Sequence, residues 1–154
     1  MPKKVIIYID GASQGNPGPS GIGVVICNSK EEVLKNISEA IGQTTNNVAE
    51  YMALIYALQE SLILGAKEVI IKTDSELLAK QLNRLYKVKD ADLKLLFNQA
   101  QHLKNKFSRF EIRHINREEN KGADKLASKA AKKTKITFAL PKPKDFSQQK
   151  FFDF

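Results

Sequence analysis

The chain has 154 residues, of which 42% are hydrophobic and 27% charged, as expected for one soluble globular domain. No apolar run approaches the ~20 residues of a membrane span, and no secretory signal is recognisable, so we expect a cytoplasmic protein without membrane contact. The net charge of +8 is uneven, because residues 1–77 carry 6 basic and 9 acidic side chains and residues 78–154 carry 19 and 8. The basic second half favours a polyanionic partner, although a lysine-rich solvated surface would give the same total.

Nine elements are predicted in chain order. Three β-branched runs separated by turn residues predict an antiparallel meander. A long helix that ends before Gly65 comes next, followed by a strand, two helices, a strand and a lysine-rich helix. The predicted strands are 4–10, 22–27, 32–41, 68–73 and 109–115, and the predicted helices are 47–64, 75–85, 91–106 and 120–132. This order describes one α/β domain with a mixed sheet over residues 1–132, followed by a tail at 133–154.

Two aspartates are predicted at one edge of the sheet. Asp10 ends the first strand and Asp74 directly follows the fourth. If these strands are parallel neighbours, both carboxylates emerge at the edge where open α/β sheets bind ligands.

Two further acids lie near helix starts. Glu50 shares the buried stripe of the long helix, but Asn47 and Glu50 also fit a capping box, which would give the acid a purely structural role. Asp124 lies early in the last helix, where the helix dipole alone favours an acid.

Considered together, the four acids predict a metal site. Carboxylates that converge on one point repel each other unless cations compensate their charge. Hard divalent ions with oxygen ligands are the usual compensation. Two such ions would suit an in-line displacement at a phosphodiester.

Four segments, in order, resemble the motifs of the type 1 ribonuclease H family. They are DGASQGNPGPSGIG from residue 10, TNNVAEY from 45, KTDS from 72 and HINREENKGADKLA from 114. The resemblance spans about residues 4–132. It implies the ribonuclease H fold, a five-stranded mixed sheet with helices on both faces, and an endonuclease that cuts the RNA strand of an RNA–DNA hybrid.

The resemblance also implies roles for particular residues. Asp10, Glu50, Asp74 and Asp124 would bind two Mg²⁺ ions, with Mn²⁺ as an alternative. His114 would move protons or help the product to leave, unless it is simply packed on its strand. Side chains that would contact the hybrid are Ser13, Asn16, Thr45, Asn46 and Asn47, although such residues also favour turns and helix caps.

The chain departs from many relatives in residues 82–92. A basic, tryptophan-bearing helix is often inserted there, whereas this segment retains only Arg84, Lys87 and Lys89 with Tyr86, and the chain has no tryptophan. The resemblance is therefore to the form that lacks the basic protrusion.

Three alternatives are a DNA-cutting nuclease of the same fold, a non-catalytic hybrid-binding module and a fragment of a reverse transcriptase. The motifs around Asn16 and Thr45 favour the hybrid over DNA, and the four acids favour catalysis. Met1 directly before the first strand favours an independent protein.

The tail contains one candidate partner motif. Gln149, Phe152 and Phe154 are spaced like the short glutamine-led peptides that dock onto the replication sliding clamp. Such a contact would raise the local concentration of the enzyme near RNA primers. Alternatively, the phenylalanines fold back onto the domain or pair two subunits.

Overall fold

The computed structural model describes residues 3–136, and the predicted α/β architecture is confirmed. All nine predicted elements occur in the predicted order, with a short 3-10 turn added before the last helix. No helix in this part of the chain is long and apolar enough to cross a membrane. The strands are β1 (Lys4–Ser13), β2 (Gly18–Cys27), β3 (Val33–Thr44), β4 (Glu68–Thr73) and β5 (Arg109–His114), and the helices are α1 (Asn46–Ile63), α2 (Glu76–Leu82), α3 (Ala91–Lys104) and α4 (Lys121–Ile136), preceded by the turn Arg117–Asn120.

The sheet has the order β3-β2-β1-β4-β5. β1, β2 and β3 form the antiparallel meander that the sequence predicts. β4 pairs in parallel with both β1 and β5. The sheet is therefore mixed, and β1 lies at its centre between an antiparallel and a parallel neighbour.

The helices lie on both faces of the sheet. Gly11 faces α1, because a Cβ built on it would lie 2.3 Å from the carbonyl carbon of Ala49. Asp10, the residue before Gly11, pairs with Gly23 of β2, so these two residues point to the same face. Gly23 faces α4, because a Cβ built on it would lie 2.1 Å from the carbonyl oxygen of Ala123. Since successive strand residues point to opposite faces, α1 and α4 cover different sides.

The larger core lies on the face that carries α1. Apolar side chains at alternate positions of the central strands pack there against α1, α2 and α3. Burying each such side chain contributes about 1.5–3 kcal/mol. The largest fully buried ones include Ile7, Ile9, Ile22, Leu54, Leu58 and Ile71.

The predicted loop after Asp10 is much shorter in the structure. β1 continues through Gly11 to Ser13 and pairs with the beginning of β2, where Ser13 lies opposite Ser20. Glycine and proline usually mark a loop, but here the absence of a side chain on Gly11 lets α1 approach the strand. Only residues 14–17 connect the two strands.

Two helix ends also differ from prediction. α2 ends at Leu82, and residues 83–90 form no helix, as expected for the form without a basic protrusion. Asp90 caps α3 by accepting a hydrogen bond from the Leu93 N–H at 3.0 Å. α4 continues to Ile136, four residues beyond its predicted end. The rest of the predicted tail, including the candidate clamp peptide at 149–154, lies outside the described residues.

Candidate active site

Asp10 and Asp74 lie where two parallel strands separate. The β1–β4 pairing ends at Ile9 opposite Thr73, and the two aspartates are the next residues along each strand. Asp10 is buried, with 5% of its surface exposed, and Asp74 is half-buried. The predicted meeting of these carboxylates at one sheet edge is confirmed.

Glu50 reaches the same point from α1. Its Oε1 accepts a hydrogen bond from the backbone N–H of Gly11 at 2.5 Å, so the residue after Asp10 holds the Glu50 carboxylate. The capping box expected from Asn47 is wrong, because Thr45 is the N-cap and its side chain accepts from the Val48 N–H. Glu50 therefore lies two positions further into α1 than expected and is available to the acidic cluster.

The four predicted acids share one cleft. Asp10, Glu50 and Asp74 each offer a carboxylate oxygen, and these oxygens lie within 4.8 Å of one another. Asp124 lines the same cleft from the first turn of α4 and lies close enough to Asp10 for a side-chain hydrogen bond. Three acids thus form a compact donor set, and the fourth adjoins it.

The surroundings of the two buried acids disfavour their charged forms. Burial, followed by the charges of Glu50 and Asp74, raises the pKa of Asp10 well above its ordinary value. Burial also raises the pKa of Glu50, and Asp74 adds to this effect, whereas the Gly11 N–H opposes it. A divalent cation with oxygen ligands would compensate this repulsion, and the donor set fits such an ion.

The five polar residues predicted to contact substrate, called the rim below, lie at the end of β1, in the β1–β2 loop and at the start of α1, and two of them line the cleft. Ser13 lines the cleft, and its hydroxyl donates to the Thr44 carbonyl at 2.9 Å. The Asn16 Oδ1 accepts from the Asn46 N–H at 2.9 Å, which ties the β1–β2 loop to the start of α1. Asn46 lines the cleft, Thr45 caps the helix, and Asn47 is exposed in the first turn.

His114 lies outside this cluster. It is exposed at the end of β5, opposite Thr73 in the ladder, and is not among the residues that line the cleft. The alternative that His114 is packed on its strand is wrong, because its side chain is exposed, whereas Ile112 on the same strand is buried.

Two residues of the turn before α4 belong to the site but were not predicted. Arg117 is exposed and is the only basic side chain among the described residues that line the cleft. Asn120 is buried, and its Nδ2 donates to the Ile9 carbonyl at 2.8 Å and to Asp74 Oδ2 at 3.3 Å. Both residues lie within the motif that begins at His114. The partners of Asn120, Asp74 and Ile9, are 46 and 111 positions away in the chain, so no local sequence pattern could have identified its role.

The chain is similar to proteins of one family over most of its length. The family model described as reverse transcriptase-like matches residues 8–130. A bifunctional protein of Mycobacterium tuberculosis is 44% identical over 128 residues, and ribonuclease HI of Halobacterium salinarum is 38% identical over 127. Each match covers 82% of this chain, but 35% of the mycobacterial protein and 64% of the archaeal one. The chain thus spans less than two thirds of these relatives.

Solved structures agree with this similarity. The N-terminal RNase H domain of the mycobacterial protein superimposes with a TM-score of 0.81 at 43% identity, covering 83% of this chain and 98% of the domain. RNase H1 of Halobacterium salinarum gives 0.82 at 37% identity, covering 84% and 98%. LC11-RNase H1, solved in complex with an RNA/DNA hybrid, gives 0.80 at 46% identity, covering 84% and 97%.

Proposed function

The chain belongs to the reverse transcriptase-like family, among its type 1 ribonuclease H members, and from this we propose that it is an endonuclease that hydrolyses the RNA strand of RNA–DNA hybrids. The observation that carries the proposal is the meeting of Asp10, Glu50 and Asp74 at one sheet edge, with Asp124 beside them. A hybrid-binding module without catalysis would not need buried acids, whose mutual repulsion costs stability.

The proposed cofactor is a pair of Mg²⁺ ions. Asp10, Glu50, Asp74 and Asp124 would hold them, since Mg²⁺ takes a few carboxylates and keeps several waters. When bound, such ions supply the positive charge that an in-line phosphodiester displacement requires. Mn²⁺ is the alternative ion, and parallel assays with the two metals compare them.

The chain's own groups orient this site. The Gly11 N–H fixes the direction of the Glu50 carboxylate. Arg117 is exposed and lines the cleft, and its guanidinium would pair with a phosphate of the scissile strand. His114, exposed one strand away from Asp74, would exchange protons with the departing product.

Selection of RNA is assigned to the rim of Ser13, Asn16, Thr45, Asn46 and Asn47. Small polar side chains in and next to the cleft would allow close approach to ribose, whose 2′-OH separates RNA from DNA. Because this rim spans several positions, we expect recognition of a run of ribonucleotides. A duplex with a single embedded ribonucleotide should then be a poor substrate.

The test is cleavage of labelled duplexes by the purified protein. We expect the RNA strand of the hybrid to be cut in Mg²⁺ and not in EDTA, and a DNA duplex to remain intact. Cleavage of the DNA duplex instead would favour the DNA-cutting nuclease. Binding of the hybrid without cleavage in either Mg²⁺ or Mn²⁺ would favour the non-catalytic module.

Asp74→Asn tests the metal assignment. We expect turnover to fall on the order of 10³-fold, because losing a metal ligand removes several kcal/mol of charge stabilisation, whereas hybrid affinity should change little. Asp90→Asn is the matched control, because Asp90 caps α3 outside the cleft and asparagine is an equally good N-cap. Wild-type turnover by Asp74→Asn would contradict the assignment.

A sliding-clamp partner and a cytoplasmic location are proposed from the sequence, and the clamp peptide lies outside the described residues. Gln149, Phe152 and Phe154 have the spacing of a clamp-docking peptide, and a cytoplasmic enzyme that removes RNA from DNA would use such a contact. Both remain predictions from the sequence.

A further inference from the structure

Asn120 is a buried asparagine at the junction of three acid-bearing elements. Only 1% of its surface is exposed. Its Nδ2 donates to the carbonyl of Ile9, the residue before Asp10, at 2.8 Å, and to Asp74 Oδ2 at 3.3 Å. One amide group therefore contacts β1 and the acid that follows β4.

The third element is α4. Asn120 is the last residue of the turn Arg117–Asn120, and α4 begins at the next residue. Asp124 lies four positions after Asn120, in the first turn of α4. The side chain of Asn120 thus fixes the start of the helix that carries Asp124 to the strands that carry Asp10 and Asp74.

The contacts of Asn120 define the orientation of its amide. Both groups near Nδ2 are hydrogen-bond acceptors, so a flipped side chain would place an oxygen against a carbonyl and a carboxylate. The other amide atom, Oδ1, is buried without a partner in the part of the chain that the structure describes. A buried acceptor without a partner is unfavourable, so a leucine of similar volume would suit packing alone.

The geometry points to Asn120 as a positioning residue that orients Asp74 and sets Asp10 and Asp124 at the distance that metal binding requires. It does not touch substrate. A second layer of hydrogen bonds orients the ligands in many metal sites, and its loss commonly costs 10- to 100-fold in metal affinity or activity. This inference rests on the proposed function, because it concerns the ligands assigned there.

The experiment compares Asn120→Leu and Asn120→Asp with wild type and with Gln81→Leu. Leucine removes the donor and keeps the volume, and aspartate keeps the shape but turns an oxygen toward the Ile9 carbonyl and Asp74. Gln81 is the matched control: it is a buried amide with 4% exposure, and its Oε1 accepts from the Tyr51 hydroxyl at 2.6 Å, outside the cleft.

Three quantities are measured on each protein: the Mg²⁺ dissociation constant by isothermal titration calorimetry, kcat and KM on the hybrid, and Tm in EDTA. Both Asn120 variants should raise the Mg²⁺ dissociation constant and lower kcat by about 10- to 100-fold, with KM little changed. Gln81→Leu should lower Tm alone. If Asn120→Leu fails to fold, the isosteric Asn120→Asp decides the result.

Two outcomes would overturn the inference. One is Mg²⁺ affinity and kcat within twofold of wild type in a folded Asn120 variant. The other is an equal loss of kcat in Gln81→Leu, which would assign the effect to general destabilisation. If the wild-type protein binds Mg²⁺ but cuts no hybrid, the proposed function fails, while a loss of Mg²⁺ affinity in the Asn120 variants still supports the positioning role.

Discussion

Asp10 and Glu50 make the metal-free protein sensitive to pH. Burial and neighbouring carboxylates raise the pKa of both acids in the folded chain, whereas in the unfolded chain they ionise near pH 4. As the pH rises above 4, the unfolded state releases protons that the folded state retains, so the free energy of unfolding falls. This loss continues up to the raised pKa of Asp10, about 10.

Asp10→Asn should therefore stabilise the protein in EDTA at neutral pH while removing activity. We expect a gain of about 2 kcal/mol, roughly 4–8 °C in Tm for a chain of this size. Thermal unfolding of both proteins between pH 4 and pH 9 checks this, and the difference should widen with pH. A constant difference would show that repulsion among the acids is not its cause. Saturating Mg²⁺ should raise the Tm of wild type more than that of the variant.

His114→Ala should slow turnover less than loss of an acid does. The exposed position of His114 at the end of β5 suits proton exchange with solvent, and water partly replaces such a group. We expect kcat to fall on the order of 10²-fold, the lower end of what general acid–base catalysis contributes. His102→Ala, which alters the chain's other histidine in α3, should leave kcat unchanged. A loss as large as that of Asp74→Asn would require a more direct role for His114.

α4 rests directly on the backbone of β2. A Cβ at Gly23 would lie 2.1 Å from the Ala123 carbonyl oxygen, and one at Gly21 would lie 2.5 Å from the backbone nitrogen of Ala131. The helix that carries Asp124 is thus positioned by the absence of side chains on β2.

Gly23→Ala should displace α4 and affect both stability and catalysis. Overpacking of this kind costs about 1–3 kcal/mol, and we expect kcat to fall further than the lost stability explains, because Asp124 moves with the helix. Gly122→Ala is the control: a Cβ there meets only Val25 Cγ2 at 3.6 Å, so this variant should gain about 0.5–1 kcal/mol from helix propensity. Urea unfolding and hybrid cleavage measure the two effects, and equal behaviour of the variants would contradict the close packing.

The type and order of every strand and α-helix followed from local sequence pattern, but several of their ends and the 3-10 turn Arg117–Asn120 did not. Gly11 to Ser13 have the composition of a loop, yet tertiary packing against α1 and pairing with β2 keep them in the strand. Thr45 and Asn47 are both good N-caps, and only the structure distinguishes them.

For the whole molecule, every element that encloses the site lies within residues 3–136, and the tail at 145–154 lies outside the described residues. The described residues 3–136 form the sheet, the core and the cleft among themselves. Deleting residues 145–154 should leave Tm and hybrid cleavage within error of wild type and abolish binding to the sliding clamp, as judged by Tm, turnover and a clamp pull-down. A clear drop in Tm, or conversion of a dimer to a monomer, would instead support packing of the phenylalanines on the domain or on a second subunit.

The sequence predicted the acids of the candidate site, but it did not predict that Gly11 and Asn120 orient them through hydrogen bonds. Asp10 and Asp74 followed from strand ends and the rule for parallel sheet edges, which are local features. The contacts from Gly11 to Glu50 and from Asn120 to Ile9 join positions 39 and 111 residues apart. Contacts of that separation depend on the completed sheet and have no counterpart in a local motif.

The order of the acids along the chain has a consequence for protein synthesis. Asp10 is translated first, and Asp124 arrives with α4, the last described element, which must pack on β2 before the cleft is complete. On the proposed function, a nascent chain still lacking α4 lacks Asp124 and the wall of the cleft that α4 supplies, so we expect it not to cut nucleic acid beside the ribosome. We therefore expect the proposed activity only once translation has passed α4.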